Sequence, residues 1–421
     1  MTAFGGLVRE VAPHGLLGLS DQLVVYTCHH TSLFLDRTVV DALGGEGWAV
    51  RRQGAFEAGH ALLSSVAAEL GIEQPRERLD LAAELFAALG HGRLTFDVGA
   101  EGGVVRCDNL HHGASFLEKY GSRAANKKPV DSFAAGFAAA AASLAYPSDW
   151  GTFEADETSC VARGDAACAL TLVRRTDRPR FGALPTSTTL ESLTADVPPR
   201  VAVGRSAHAA HGVTRLLGGL AADERGAVQR FGVRLAVVPV AYLAQITFDT
   251  MHLIEKRTPE LFPVYLSLVR EAAQMGAFHM LGGVLASAEW IGEHGLPPRD
   301  AEGRLEQLLG VARALGWGAL WADDFVPGRS LVLRCPTSFE GLYYGVRHDR
   351  TVKNRLPFLQ GLALAVMQLL HRVDFSSERP IVGDSYERLF ASGPRYHVEE
   401  TRSPLRGDRI CEVTLVAMGE P

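Results

Sequence analysis

The amino-acid sequence predicts an α+β protein built from two tandem copies of one domain, and three observations carry that prediction. Three segments recur in the same order along the 421 residues. Within each copy the apolar spacing changes from helical to alternating. A stretch with the composition of a linker separates the copies.

The repeat is the strongest of the three. FAALGHGRLTF, ending at Phe96, returns as ARALGWGALWA, ending at Ala322. VVRCDNLHHG, from Val104, returns as VLRCPTSFEG, from Val332, and Cys107 and Cys335 each stand 22 residues before a proline, Pro129 and Pro357. EADETSCVARGDAACALTLV returns as HVEETRSPLRGDRICEVTLV. Three matches in one order indicate duplication. Residues 176–204, rich in Pro, Thr and Ser without periodicity, read as the linker, so the copies span 1–175 and 205–421. The second copy carries extra residues around SSERPIVGDSYERLF, which suggests a surface loop.

The elements of a copy follow in order. Phe56, Leu62, Leu63, Val66 and Leu70 share a helical face, and Leu81, Leu85, Phe86 and Leu89 define a second helix that stops at Gly90. RLTFDV and GGVVRC read as strands joined by a glycine turn, with SLVLRC as the counterpart in the second copy. An alanine-rich helix follows Pro129, and its Gly136 leaves room that a ligand could fill. ETSCVARGDAACALTLV alternates as a closing hairpin, bent at Gly164-Asp165.

Composition narrows the function. With 47% hydrophobic and 21% charged residues the chain has the makings of a folded core. A net charge of -6 without a basic face argues against nucleic acid. No apolar stretch reaches the roughly 20 residues of a spanning helix. The N-terminus lacks the uninterrupted apolar run of a signal peptide, so a cytoplasmic location is expected, where six cysteines serve as core thiols or metal ligands in place of disulfides.

The hairpin sequence, with Glu157, Cys160, Gly164, Asp165 and Cys168, resembles the ending of the 4-vinyl reductase domain, E-x-x-C-x-x-x-G-x-x-x-C and then an apolar strand. KKPVDSFAAGFAAAA resembles that family's Pro-x-Cys helix start. The resemblance implies a fold related to subunits of the TRAPP tethering complex, a pocket for small apolar or aromatic molecules, and a tendency to dimerise that two copies could satisfy within one chain. In phenol-sensing relatives a structural zinc binds at the helix-start cysteine, the glutamate and the two hairpin cysteines. Carried over, those positions are Asp131, Glu157, Cys160 and Cys168, with Asp131 departing from cysteine. The bland alternative is that the two cysteines only pack beneath the hairpin. The second copy aligns as Leu359, Glu400, Ser403 and Cys411 and is expected to hold no metal. Cys107, Asn109 and His112 fall where the relatives line their pocket.

Other patterns carry less. His29-His30, His60, His111-His112 and His279 lack any haem or zinc spacing motif, and Gly90-His-Gly92 and Gly316-Trp-Gly318 end helices where a dinucleotide fingerprint would open one. The expectation is a sensor or regulator of small apolar or aromatic ligands, acting through an unidentified protein partner because no output domain is encoded. The alternatives are a non-catalytic scaffold and, from the family's name, an auxiliary reductase of tetrapyrrole metabolism.

Overall fold

The computed structural model describes residues 7–11, 14–121, 130–148, 152–175, 189–194, 206–348, 351, 353–375, 381, 385–390 and 395–419. The first copy runs β1 (Arg9–Val11), β2 (Leu16–Leu19), β3 (Gln22–Cys28), α1 (His29–Leu43), α2 (Gly45–Leu70), α3 (Pro75–Ala88), β4 (Thr95–Gly99), β5 (Gly102–Cys107), α4 (His111–Tyr120), α5 (Ser132–Ala145), β6 (Phe153–Ser159) and β7 (Cys168–Arg174). After α6 (Leu190–Thr194) and α7 (Ser206–Gly218), the order repeats. It continues through β8 (Val228–Arg230), β9 (Val233–Pro239), α8 (Val240–Arg257), α9 (Phe262–Leu285), α10 (Ala288–His294), α11 (Ala301–Ala314), β10 (Trp321–Val326), β11 (Ser330–Cys335), α12 (Phe339–His348), α13 (Pro357–Arg372), α14 (Ser385–Phe390), β12 (Tyr396–Arg402) and β13 (Cys411–Ala417).

The fold is α+β with three antiparallel sheets. Each copy has its own four-stranded sheet, ordered β4-β5-β7-β6 in the first and β10-β11-β13-β12 in the second. Both end in the expected hairpin. A third sheet, β1-β2-β3-β9-β8, is shared by the two copies. Its middle strands, QLVVYTC and VRLAVVP, are buried at every residue. A strand covered on both faces loses the alternation by which a half-buried strand is recognised.

A local twofold axis passes through that sheet. Tyr26 pairs with Val237, and the register runs symmetrically outward to Val24 against Pro239 and Cys28 against Leu235. The Tyr26 N–H donates to Leu315 O at 3.0 Å, and the Val237 N–H to Leu89 O at 2.9 Å. The Gly92 N–H donates to Gly226 O at 2.9 Å and the Gly318 N–H to Gly15 O at 2.8 Å. Each Leu-Gly-x-Gly turn is thus bonded to the β-strand edge of the other copy. Gly90 and Gly316 have φ of 84° and 85°, and a side chain at Gly90 would come within 2.5 Å of Leu235 O. These glycines serve backbone contact between copies, which is why no phosphate motif surrounds them. The helices interlock likewise, with α1 packed on α9 and α2 on α8.

Four expectations are corrected. The room beside Gly136 is filled by α2, because a Cβ there would meet Ala55 at 2.6 Å and the Phe56 nitrogen at 2.8 Å. The small residues of α5 allow two helices to approach closely, and no space for a ligand remains. In the second copy's extra segment Ile381 and Tyr386 are buried and α14 lies on α9, so the described part covers the core in place of a free loop. Within the linker, α6 buries Leu193, and the Leu190 N–H donates to Asp21 O at 2.7 Å. Pro129, which anchored one repeat match, and most of 176–204 lie outside the described residues. The fourth correction concerns the register of that match and is taken up with the site.

Candidate metal centre and cavity

Asp131, Cys160 and Cys168 converge beneath the closing hairpin of the first copy, all of them buried. Asp131 ends the segment before α5. Cys160 follows β6, where a register shift between Glu157 and Ser159 turns the strand, and Cys168 opens β7. The turn between the cysteines is held by the Cys160 N–H donating to Asp165 Oδ2 at 2.8 Å and the Arg163 N–H donating to Cys160 O at 2.9 Å. Aspartate after glycine therefore positions the first thiol.

The separations fit a tetrahedral ion. Cys160 Sγ and Cys168 Sγ are 3.7 Å apart, and Asp131 Oδ2 lies 3.2 Å from the first and 3.7 Å from the second. With Zn–S of about 2.3 Å and Zn–O of about 2.0 Å, tetrahedral edges are about 3.8 Å for S···S and about 3.5 Å for S···O. All six cysteines are free thiols. Gly113 permits the approach, since its N–H donates to Asp131 Oδ1 at 2.9 Å and a Cβ would fall 2.7 Å from Oδ2 and 3.1 Å from Cys160 Sγ.

Glu157 stands beside this group. Its Oε2 accepts from the N–H groups of Val130 at 2.9 Å and Asp131 at 2.6 Å, while Oε1 is enclosed without a partner. Burial, and then the charge of Asp131, push Glu157 up to about 7. Asp131 is raised by burial, and the Cys160 thiol is raised by its contact with Cys168, by burial and by Asp131. Asp131, Glu157 and Cys160, crowded out of water, hold their protons unless a cation compensates them. The residues present can therefore hold a metal ion, and a filled shell of this kind leaves no open position for a substrate.

The second copy shows the same backbone with different chemistry. Glu400 Oε2 accepts from Arg355 N at 2.8 Å and Leu356 N at 3.0 Å, as Glu157 does from Val130 and Asp131. Gly361 repeats the contacts of Gly136, meeting Ala273 and the Gln274 nitrogen on α9. Asp131 is therefore matched by Leu356 and not by Leu359. Counting to the prolines misplaced the equivalence because the segment before the last helix is shorter in the second copy. Leu356, Ser403 and Cys411 cannot make a thiolate and carboxylate shell, and the Ser403 hydroxyl instead accepts from Leu405 N at 3.3 Å.

The pocket residues named from sequence are placed apart. Cys107 is buried, its thiol pushed up to about 12 by burial, and its backbone pairs with Cys168. Asn109 Oδ1 accepts from Arg234 at 3.1 Å. His112 Nε2 lies 2.9 Å from Asp36 Oδ2. Asp36 also accepts from Arg51 and, at 3.3 Å, from the Tyr242 hydroxyl, a buried network that joins the copies. Burial would raise Asp36, but Arg51 and His112 outweigh it and hold the carboxyl below its ordinary range. The His91 Nε2–H donates to Val237 O at 2.7 Å, and burial lowers the pKa of the imidazole to about 3.

A cavity of about 40 Å³ lies at the seam of the copies, mostly on the side of the second, lined by Thr31, Thr247, Val269, Trp317, Phe339, Glu340 and neighbouring residues of both copies. None of Cys107, Asn109 and His112 lines it. Glu340 opens α12 where His112 opens α4, so the repeat itself, HHG against FEG, was the signal that could have found it. Elsewhere, the His30 and His279 rings stack at 3.9 Å with 18° between their planes, and among the described residues no further group of three ligands converges.

No family model matches the chain, and no curated protein matches it. Among solved structures it is similar to the phenol-responsive sensory domain of the transcription activator PoxR, crystallised with phenol. The identity is 18%, the match covers 41% of this chain and 86% of that one, and the TM-score is 0.34.

Proposed function

We propose that the chain is a small-molecule-binding regulatory protein made of two 4-vinyl-reductase-like domains, with a binding role and not a catalytic one. The observation that carries this reading is the cavity at the seam. Thr31 belongs to α1 of the first copy, whereas Thr247, Val269 and Glu340 belong to the second. A molecule bound there touches both copies, so its binding energy is linked to how they pack, and a partner protein can sense that packing. An aromatic ligand needs more space than about 40 Å³, since a cavity on the order of 150 Å³ holds benzene. Phe339 or the neighbouring Phe358 must therefore swing aside.

The first copy's centre completes the reading as a structural zinc site. Asp131, Cys160 and Cys168 would hold the ion, with Glu157 Oε1 as the fourth donor. Zinc there would tie the start of α5 to the closing hairpin. Native mass spectrometry of the full chain, with metal analysis and a thermal-shift screen of phenols and fatty acids, tests both parts. One zinc per chain and a ligand-dependent rise in Tm are expected. A metal-free polypeptide that no compound stabilises would leave the scaffold reading in its place.

A further inference from the structure

The chemical class of the second-copy ligand follows from comparing the two twofold-related places, and it rests on the binding reading above. In the first copy the place is lined by Asp36, Arg51, His91, His111, His112 and Tyr242, all buried. Helix positions and the matched glycine contacts put Thr247, Val269, Trp317, Phe339, Glu340 and Thr31 at the corresponding points of the second. Every basic side chain of the first site is replaced there by an uncharged or acidic one. Among the described residues lining the cavity there is one acid and no lysine, arginine or histidine.

That acid is held in place. Glu340 Oε1 and Oε2 accept from the N–H groups of Phe358 and Leu359 at 2.9 and 3.0 Å, which leaves further lone pairs on the carboxylate. The charged group that acts on it is Glu400, of the same sign, and burial pushes Glu340 up to about 8. Thr27, Thr31 and Thr247 add hydroxyl oxygens to an otherwise apolar lining. A carboxyl group with no cation, hydroxyl acceptors nearby and apolar walls is complementary to an ammonium group on a small hydrocarbon body.

We infer that the second-copy cavity binds a compact aliphatic or aromatic amine through its protonated nitrogen, with Glu340 as the anionic partner. The protons balance simply. An amine that is already an ammonium ion in water binds ionised Glu340, and the carboxyl proton that burial had retained is released to solvent. Binding near neutral pH is accompanied by proton release, which a neutral ligand of the same shape does not cause.

Isopropylamine, isopropanol and acetone share one branched shape and differ in the polar group, so calorimetric titration of the full chain at pH 7 in two buffers of different ionisation enthalpy separates the cases. Isopropylamine is expected to bind roughly tenfold tighter than isopropanol, as a charge-assisted hydrogen bond exceeds a neutral one, and to release a proton. Glu340→Gln removes that preference and the proton release while isopropanol binding persists. Ala244→Leu, which fills the cavity and leaves Glu340 intact, abolishes binding of all three. Acetone binding tightest, or an amine preference that survives Glu340→Gln, overturns the assignment of an amine and leaves ligand binding standing. If none of the three binds to the parent chain, the cavity is not a small-molecule site and both readings fall.

Discussion

The two copies place the same backbone under opposite chemistry. In the first, Asp131, Glu157, Cys160 and Cys168 gather under the hairpin, and Asp36, Arg51 and His112 form a buried ionic network at the seam. In the second, Leu356 and Ser403 stand where a carboxylate and a thiol would be needed, and Trp317, Phe339 and Val269 leave a small apolar cavity beside Glu340. Two identical chains would have to carry identical sites. A covalent pair related by a local twofold is free of that constraint, so one member can be specialised for holding structure and the other for holding a ligand.

The largest test of the comparison is to separate its members. Residues 1–204 or 205–421 alone would lose the partner strand of β3 or β9 and the helices packed across the seam, exposing strands that are buried throughout. Neither half is expected to unfold cooperatively by circular dichroism or calorimetry, and mixing the two should restore a transition. A sharp, independent transition in either half would show that the shared sheet is dispensable.

Next in size is the cysteine comparison. Cys168→Ser should abolish metal uptake in elemental analysis and cost several kcal/mol, about 3 to 5, because the remaining acidic groups stay buried without a cation. Cys411→Ser, at the matching place with no metal shell, should cost only about 1 to 3 kcal/mol for a poorly satisfied buried hydroxyl. Equal losses would mean that both thiols merely pack. The converse change, Leu356→Asp with Ser403→Cys, rebuilds the shell around Glu400 and Cys411. A second bound zinc per chain is expected, at lower affinity than the first, and a metal content that stays unchanged would show that the backbone match is not close enough.

The smallest effect is read in pH. Glu340 has a folded pKa of about 8 against an ordinary 4.5. Below 4.5 it is protonated in both states and its contribution is complete. Between 4.5 and about 8 the unfolded chain gives up the proton while the folded one keeps it, so stability falls as pH rises, by at most about 1.4 kcal/mol per unit. Glu340→Gln should flatten the unfolding free energy across that window. An unchanged slope would show that Glu340 is ionised in the folded chain.

Much of the architecture was legible in the residues. The helical spacing from Phe56 to Leu70, the hairpin around Gly164-Asp165 and the order of elements in each copy all have local causes in side-chain periodicity and turn chemistry. The candidate metal group was reached through the resemblance carried by Glu157, Cys160, Gly164, Asp165 and Cys168, which implied Asp131 as a further ligand. The central sheet was not, since QLVVYTC and VRLAVVP are apolar at nearly every position and only a strand from the other copy explains why. Glu340 was overlooked because an acid in an ordinary helix start carries no sign of burial.

The sequence by itself therefore determined the duplication and the elements of each copy. Those are properties of neighbours along the chain. Only the tertiary structure decided that the copies exchange strands across Tyr26 and Val237, that Gly136 admits a helix and not a ligand, and that Leu356 stands for Asp131. It also decided that a cavity opens at the seam beside Glu340. Each of these depends on residues far apart in sequence meeting in close-packed space, where a missing Cβ or a buried carboxyl acquires meaning only from what the rest of the chain puts beside it.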